Sequence, residues 1–306
     1  MNRVLVLMST YNGAKYIRPQ LDSIMNQVKV KVSLLIRDDG SKDETIKIIE
    51  EYINKYPNNI ELVKGNNIGF AASFLTLLKI GGKRNYNYFA FADQDDVWLE
   101  YKLFAAVTKI QTLNLDQPAL YFSNATAVDE ELKYLFDTTK NPLISKETSL
   151  VRYFMLGCTM VFNKKLAEII SENTPINKIL MHDLWLNQTS IFFGNIIFDS
   201  ESYILYRQHN NNVAGVGSSL NIRLRRFIKS FKKYERRHFR EINAKNLLIA
   251  YDSLLLPKDR ELIELVAYYR SSLKRRILLL FNRKIIDMGS YFSDTVLRIR
   301  ILLGLF

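Results

Sequence analysis

The chain has 306 residues, 48% of them hydrophobic and 24% charged, with a formal net charge of +12 at pH 7. This length and apolar content fit one large domain with an appendage, or two modest ones, and exclude a disordered chain. One cysteine, Cys158, excludes an internal disulfide and a multi-cysteine metal site, and three histidines exclude a histidine-rich centre.

Residues 4–8 form an apolar run too short for a signal peptide, and the polar loop Ser9-Thr10-Tyr11-Asn12-Gly13 closes it as a strand. No run reaches the roughly 18 apolar residues that a membrane-spanning helix needs. With the lone cysteine, this gives a cytoplasmic reading. A helix is expected over 17–27, with Leu21, Ile24 and Met25 on one face, and a second strand over 32–36. A helix over 45–56 follows, with Ile46, Ile49 and Ile53 inward and Asp43 as its cap. Then come a strand at 60–63, a helix at 71–78, a strand at 88–92 and a helix beginning near Leu99. This βαβαβαβ order predicts an α/β fold with a doubly wound, mostly parallel sheet. Further strands are expected at 119–123, 159–162, 196–198 and 203–205, a loop at Pro175 and Asn177, and a helix over 184–193.

In such sheets ligands bind beyond the carboxyl ends of the strands. Four polar loops fall there: 9–12, Asp38-Asp39-Gly40-Ser41, Asn66-Asn67-Ile68-Gly69 and Asp93-Gln94-Asp95-Asp96. The last holds three carboxylates in four residues behind an apolar strand, a repelling cluster that calls for a positive partner. A hard divalent cation such as Mg²⁺, bound together with substrate phosphates, is the natural one. The bland alternative is an acidic turn in which Asp93 or Asp96 caps the next helix.

No Walker loop, no Gly-x-Gly-x-x-Gly turn and no Gly-x-Ser-x-Gly elbow is present. What remains is an ordered set: 9–12, Arg37-Asp38-Asp39-Gly40-Ser41, Asn67-Ile68-Gly69, Asp93-Gln94-Asp95-Asp96-Val97-Trp98, His182-Asp183-Leu184-Trp185 and Tyr206-Arg207-Gln208-His209. In this order it resembles the inverting family-2 glycosyltransferases of the GT-A fold, in particular their rhamnosyltransferase-like branch, over about residues 3–215. The resemblance implies that Asp38 accepts a hydrogen bond from the pyrimidine ring N–H of a nucleoside-diphosphate sugar donor, with Thr10 and Tyr11 lining the base pocket. It also implies that Asp93 contacts the ribose, that Asp95 and His209 hold Mg²⁺ or Mn²⁺, and that Arg207 grips the diphosphate. Asp183 takes the position of the catalytic base, with His182 as a neighbour that orients or tunes it. The alternatives are an N-cap for Asp183, a hydrogen-bonded loop residue for His209, and a small buried apolar residue for Cys158. The loop Gly157-Cys158-Thr159 is read as structural.

Residues 1–220 balance 23 basic against 23 acidic side chains, whereas 221–306 hold 20 and 8. The entire surplus thus lies in a second region, 221–306, set off from a catalytic domain at 1–220. Leu224, Phe227, Ile228, Phe231 and Tyr234 form a helical stripe among Lys and Arg, and Phe239 adds another aromatic. That pattern predicts peripheral attachment to an anionic membrane surface on its inner face, without nucleic acid as partner. The implied acceptor is a lipid-linked saccharide of bacterial cell-surface polysaccharide, and the implied donor is dTDP-rhamnose, with a UDP-hexose as the alternative. A noncatalytic membrane- or polyanion-binding protein with a degenerate transferase fold is the reading from another class.

Overall fold

The computed structural model describes residues 1–138, 142–153, 155–209 and 238–306. The strands are β1 (Arg3–Thr10), β2 (Lys31–Asp38), β3 (Ile60–Lys64), β4 (Tyr88–Ala92), β5 (Val97–Trp98), β6 (Ala119–Val128), β7 (Tyr134–Asp137), β8 (Val161–Asn163) and β9 (Asn195–Arg207). They form one sheet in the order β3-β2-β1-β4-β8-β6-β9-β5, with β7 paired to β6 beside this path. Strands β1 to β4 pair in parallel, β8 runs antiparallel to both β4 and β6, and β6 and β9 are parallel. Consequently the carboxyl ends of β1, β2, β3, β4, β6 and β9 share one rim with the amino end of β8. β1 and β4 carry continuous apolar runs because both faces of these central strands are covered; Val4–Met8 and Phe89–Ala92 are fully buried.

Helices α1 (Ile17–Met25), α2 (Thr45–Lys55), α3 (Phe70–Gly81) and α4 (Lys102–Ile110) follow β1, β2, β3 and β5. On α2 the inward residues are Ile48, Ile49 and Tyr52, so the buried stripe is rotated from the expected one and Ile46 and Ile53 are half-buried. Asp43 does bond this helix start, its Oδ1 accepting the Thr45 N–H at 3.1 Å. The two short strands expected at 196–198 and 203–205 are one strand, β9. Its polar middle, Asp199–Ser202, is matched by β6: Tyr121 Oη donates to Asp199 at 2.9 Å and Asn124 Nδ2 to the Ser200 carbonyl at 2.7 Å. The sequence reading also lacked β5, β7 and helix α6 (Lys164–Asn173), which Asn163 caps by accepting the Leu166 N–H at 3.1 Å. Helix α7 (His182–Phe193) precedes β9.

The chain divides into two compact units, the first holding 1–138, 142, 155–177 and 181–209 of the described residues. The second contains Leu143–Tyr153 and Lys178–Leu180 together with 238–306. Its helices are α5 (Lys146–Ser149), α8 (Phe239–Tyr251), α9 (Pro257–Ala267), α10 (Leu273–Phe281) and α11 (Tyr291–Leu302). Internally Glu241 of α8 is bridged by Lys245 and Arg270, Lys146 bonds Asp259 at 2.7 Å, and Phe306 packs on Tyr269. The stripe residues Phe227 and Phe231 lie outside the described residues, and Phe239 is half-buried. No helix among the described residues is long and apolar enough to cross a membrane.

Candidate active site

The loop after β2 is built around Asp38, which is fully buried. Its Oδ1 accepts the Gly40 and Ser41 N–H groups at 3.1 and 2.8 Å, and its Oδ2 accepts the Thr10 and Ser41 hydroxyls. A carboxylate offers about four acceptor sites, so these four donors saturate it. The tight turn needs Gly40, whose φ of +85° a side chain would oppose. Asp38 therefore holds the loop together, and a further donor reaches it only by displacing one of these four. Its neighbour Asp39 pairs with buried Arg37 and accepts the N–H groups of Ile68 and Gly69 at 2.9 Å, fixing the start of α3.

The acidic loop after β4 is pinned from three sides. Gln20 of α1 donates to the Asp93 carbonyl at 2.9 Å, and Gln94 exchanges two hydrogen bonds with the Tyr11 main chain at 2.9 and 3.1 Å. Gly13 makes room for that amide, since a Cβ there would stand 2.1 Å from Gln94 Oε1. From the other side Arg207, at the end of β9, donates its N–H to Asp96 Oδ1 at 3.1 Å and its Nε to the Asp95 carbonyl at 2.9 Å. The guanidinium also donates to the Glu130 carbonyl and stacks over Tyr16 at 4.9 Å. In this structure Arg207 is buried, and its guanidinium anchors the main chain of these two loops.

Two residues past β9, His209 Nε2 stands 2.8 Å from Asp95 Oδ2, and its ring stacks on Tyr16 with centroids 4.9 Å apart. The Tyr16 hydroxyl in turn donates to Glu130 at 2.8 Å, and Glu130 pairs with Lys15. Strand direction makes this meeting possible, because β9 ends at the same rim as β4. A carboxylate oxygen beside an imidazole nitrogen is a donor set suited to Mn²⁺ or Mg²⁺ at a diphosphate. A second cluster lies deeper: single ligand atoms of Asp93, Asp96 and Cys158 fall within 4.8 Å of one another. Lys102, buried and with its Nζ 3.7 Å from the Trp98 ring centroid, lies in the electrostatic reach of both Asp96 and Cys158. A buried amine already beside these groups makes the deeper cluster the poorer metal site.

Charge crowding is expressed in proton affinity. Burial, then the charges of Asp95 and Asp183, push the Asp93 carboxyl up to about 8. Burial, then the charges of Asp95 and Asp93, hold Asp96 well above the carboxylate range; burial, then the charges of Asp96 and Asp93, raise the Cys158 thiol, while burial lowers Lys102 to about 7. That coupling brings Asp183 into the site: it lies at the start of α7, near enough to Asp93 to raise it. Asp183 lies inside the first turn of α7, whose N-cap residue is Met181 with no side-chain cap, so the capping alternative does not hold; its Oδ1 accepts the N–H of the next residue, Leu184, at 2.8 Å. His182 does not orient it by hydrogen bonding. Its ring stacks on Phe74 at 4.2 Å and meets Phe91 edge-on, both nitrogens lack a hydrogen-bond partner, and burial keeps it neutral.

Tyr11 is exposed on the loop after β1, while Thr10 before it is buried and bonds Asp38. The structure thus gathers Thr10, Tyr11, Asp38, Asp93, Asp95, Asp183, Arg207 and His209 along one rim. Residues 5–170 match the family model "Glycosyl transferase family 2". The chain belongs to this family. It is 32% identical over 251 residues to a dTDP-rhamnosyl transferase, RfbG of Shigella flexneri, covering 77% of this chain and 83% of that protein. It is 33% identical over 204 residues to GgaA of Bacillus subtilis, named as a minor teichoic acid biosynthesis protein, covering 65% of this chain and 44% of that one. Among solved structures, S. aureus TarS residues 1–349 in complex with UDP-GlcNAc superposes with a TM-score of 0.58 at 18% identity, covering 98% of this chain and 81% of that one. The family-2 chain is therefore a glycosyltransferase of GT-A-like fold.

Sequence reasoning missed the residues that hold this family-2 site in shape. Gln94 lay inside the acidic motif and was readable there, but Gln20, Tyr16 and Glu130 carry no local signal, because their partners are 73 or more residues away.

Proposed function

We propose that this chain is an inverting, metal-dependent transferase that moves rhamnose from dTDP-rhamnose to a lipid-linked saccharide in cell-surface polysaccharide synthesis. The observation that carries the reading is the 2.8 Å approach of His209 to Asp95 at the rim where the base-pocket loops also end. The printed names of RfbG and GgaA support the sugar and the polymer class. A divalent cation held by Asp95 and His209 would supply Lewis-acid stabilisation of the charge on the departing diphosphate.

The chain's own residues do the remainder. Tyr11 packs against the pyrimidine, whose ring N–H takes the place of the Ser41 hydroxyl on Asp38. Asp93, held protonated near neutral pH, offers a donor or acceptor to the ribose. Arg207 fixes the main chain of the acidic loop and keeps its positive charge beside Asp95. Asp183 takes the proton from the acceptor hydroxyl as that oxygen attacks the anomeric carbon in line, which inverts the configuration. The enzyme works on the inner face of the cell membrane, drawn there by the positive surplus of residues 221–306.

A panel of nucleotide sugars tests this by donor-induced thermal stabilisation with Mn²⁺ present. The expected result is the largest shift with dTDP-rhamnose. A larger shift with a UDP-hexose would reassign the sugar, and no shift with any donor would defeat the enzymatic reading.

A further inference from the structure

In the second unit, helices α10 and α11 each turn an apolar stripe away from the core. On α10 the inward residue is Leu279, whereas Leu273 and Phe281 are 72% and 69% exposed and Ile277 is exposed between them. The three are spaced i, i+4, i+8 and so lie on one helix face, the geometry of a core stripe turned outward. On α11 the inward residues are Leu297 and Ile301, whereas Tyr291 and Phe292 are 88% and 78% exposed, with Ile299 exposed on the same side. The two helices are joined by Arg298, which donates to the Leu280 carbonyl. Scattered apolar residues on a surface need no explanation, but two adjoining helices with outward stripes do.

Charge decides the occupant. Residues 270–306 hold eight Lys or Arg against two acidic side chains. Both acids are engaged locally, Asp287 accepting the Gly289 N–H and Asp294 the Met288 N–H. Lys274 and Arg275 lie on α10 itself, and Arg283 and Lys284 follow its last turn. A second copy of this chain would bring the same surplus charge against itself. An anionic lipid surface supplies both what the stripes need and what the charges need.

We propose that α10 and α11 are the membrane-inserting surface: the exposed stripes enter the headgroup–acyl boundary of an anionic leaflet while the flanking Lys and Arg bind its phosphates. This deepens the reading of a lipid-linked acceptor and rests on it for its purpose, though not for the binding itself. It also moves the apolar contact from the stripe around Phe227 and Phe231 to residues 273–303.

Flotation of the full chain with phosphatidylcholine vesicles, with and without phosphatidylglycerol, across a salt series tests it. The wild type should float only with the anionic vesicles, losing part of its binding with salt and retaining a salt-resistant part. Ile277→Ser with Phe281→Ser, or Tyr291→Ser with Phe292→Ser, should remove the salt-resistant part and lower partitioning at least tenfold. Gln at Lys274, Arg275, Arg283 and Lys284 should lower low-salt binding about fivefold per charge and flatten the salt dependence. All these positions are solvent-facing or partly so, and retained donor-induced stabilisation shows that each variant is folded. Wild-type protein left in solution at low salt, or serine variants that float like wild type, would overturn the proposal. Sedimentation showing self-association that the serine variants abolish would assign the face to a second copy instead. Flotation without donor binding would defeat the enzymatic reading and leave this surface standing, whereas donor binding without flotation does the reverse.

Discussion

Gly13→Ala tests the clamp that joins the loops after β1 and β4. The new Cβ would stand 2.1 Å from Gln94 Oε1 and 2.5 Å from its Cδ, so the amide has to leave. Gly13 has no positive φ, and alanine therefore strains nothing else in the backbone. Two hydrogen bonds to Tyr11 are lost. At about 1 kcal/mol net each, and with both near solvent, the cost is about 1–2 kcal/mol, a melting shift of only a few degrees. Donor affinity should fall about 5–30-fold, because the loop carrying Asp95 loses its tie to the loop carrying Tyr11. Gln94→Ala removes the same bonds by another route. In a double-mutant cycle read by thermal melts and donor calorimetry, the double variant should cost no more than either single one, giving a coupling as large as the single effect. Additive losses would show that Gly13 and Gln94 act independently and would refute the clamp.

Asp183→Asn should lower transfer by about 10²–10⁴-fold with donor binding unchanged, since the amide oxygen still accepts the Leu184 N–H but no longer takes a proton; initial rates with saturating donor check it. For the metal-free protein, Asp93 is raised from its unfolded value near 3.9 to about 8, so the folded state binds the extra proton between those values. Stability should therefore decline as pH rises from about 4 to 8, which denaturant melts at several pH values read. Lys102 is lowered from 10.5 to about 7, so its burial cost is full below pH 7 and vanishes toward pH 10. Lys102→Met should accordingly raise the melting temperature at pH 6 and change it little at pH 10, and an equal gain at both would contradict a buried, strained charge.

The catalytic half of the fold was legible because its signals are local. Continuous apolar runs at β1 and β4 marked buried strands, a helical stripe marked α1, and polar loops fell where parallel strands end. Legibility failed where order depends on distant partners. The middle of β9 reads as a polar loop until Tyr121 and Asn124 of β6 satisfy it, and β5 exists only through pairing with β9. At the site, the acidic loop was marked by its own residues, and His209 and Asp183 by the family resemblance, but their surroundings were not. Nothing in the local sequence shows that Ser41 fills a position on Asp38, that Arg207 turns to loop carbonyls, or that Phe74 and Phe91 enclose His182. Sequence placed the charge surplus beyond 220, while the outward apolar stripes of α10 and α11 emerge only when their inward faces are known.

The central claim is that Asp95 and His209 form one metal site for a nucleoside-diphosphate donor. Calorimetric titration of dTDP into the wild type, Asp95→Asn and His209→Ala, each with Mn²⁺ and with EDTA, tests it most directly. Mn²⁺ should tighten wild-type binding more than tenfold, and both variants should lose this increment while keeping the metal-independent binding of the base. Equal wild-type affinity in Mn²⁺ and EDTA, or variants that retain the full metal increment, would contradict it.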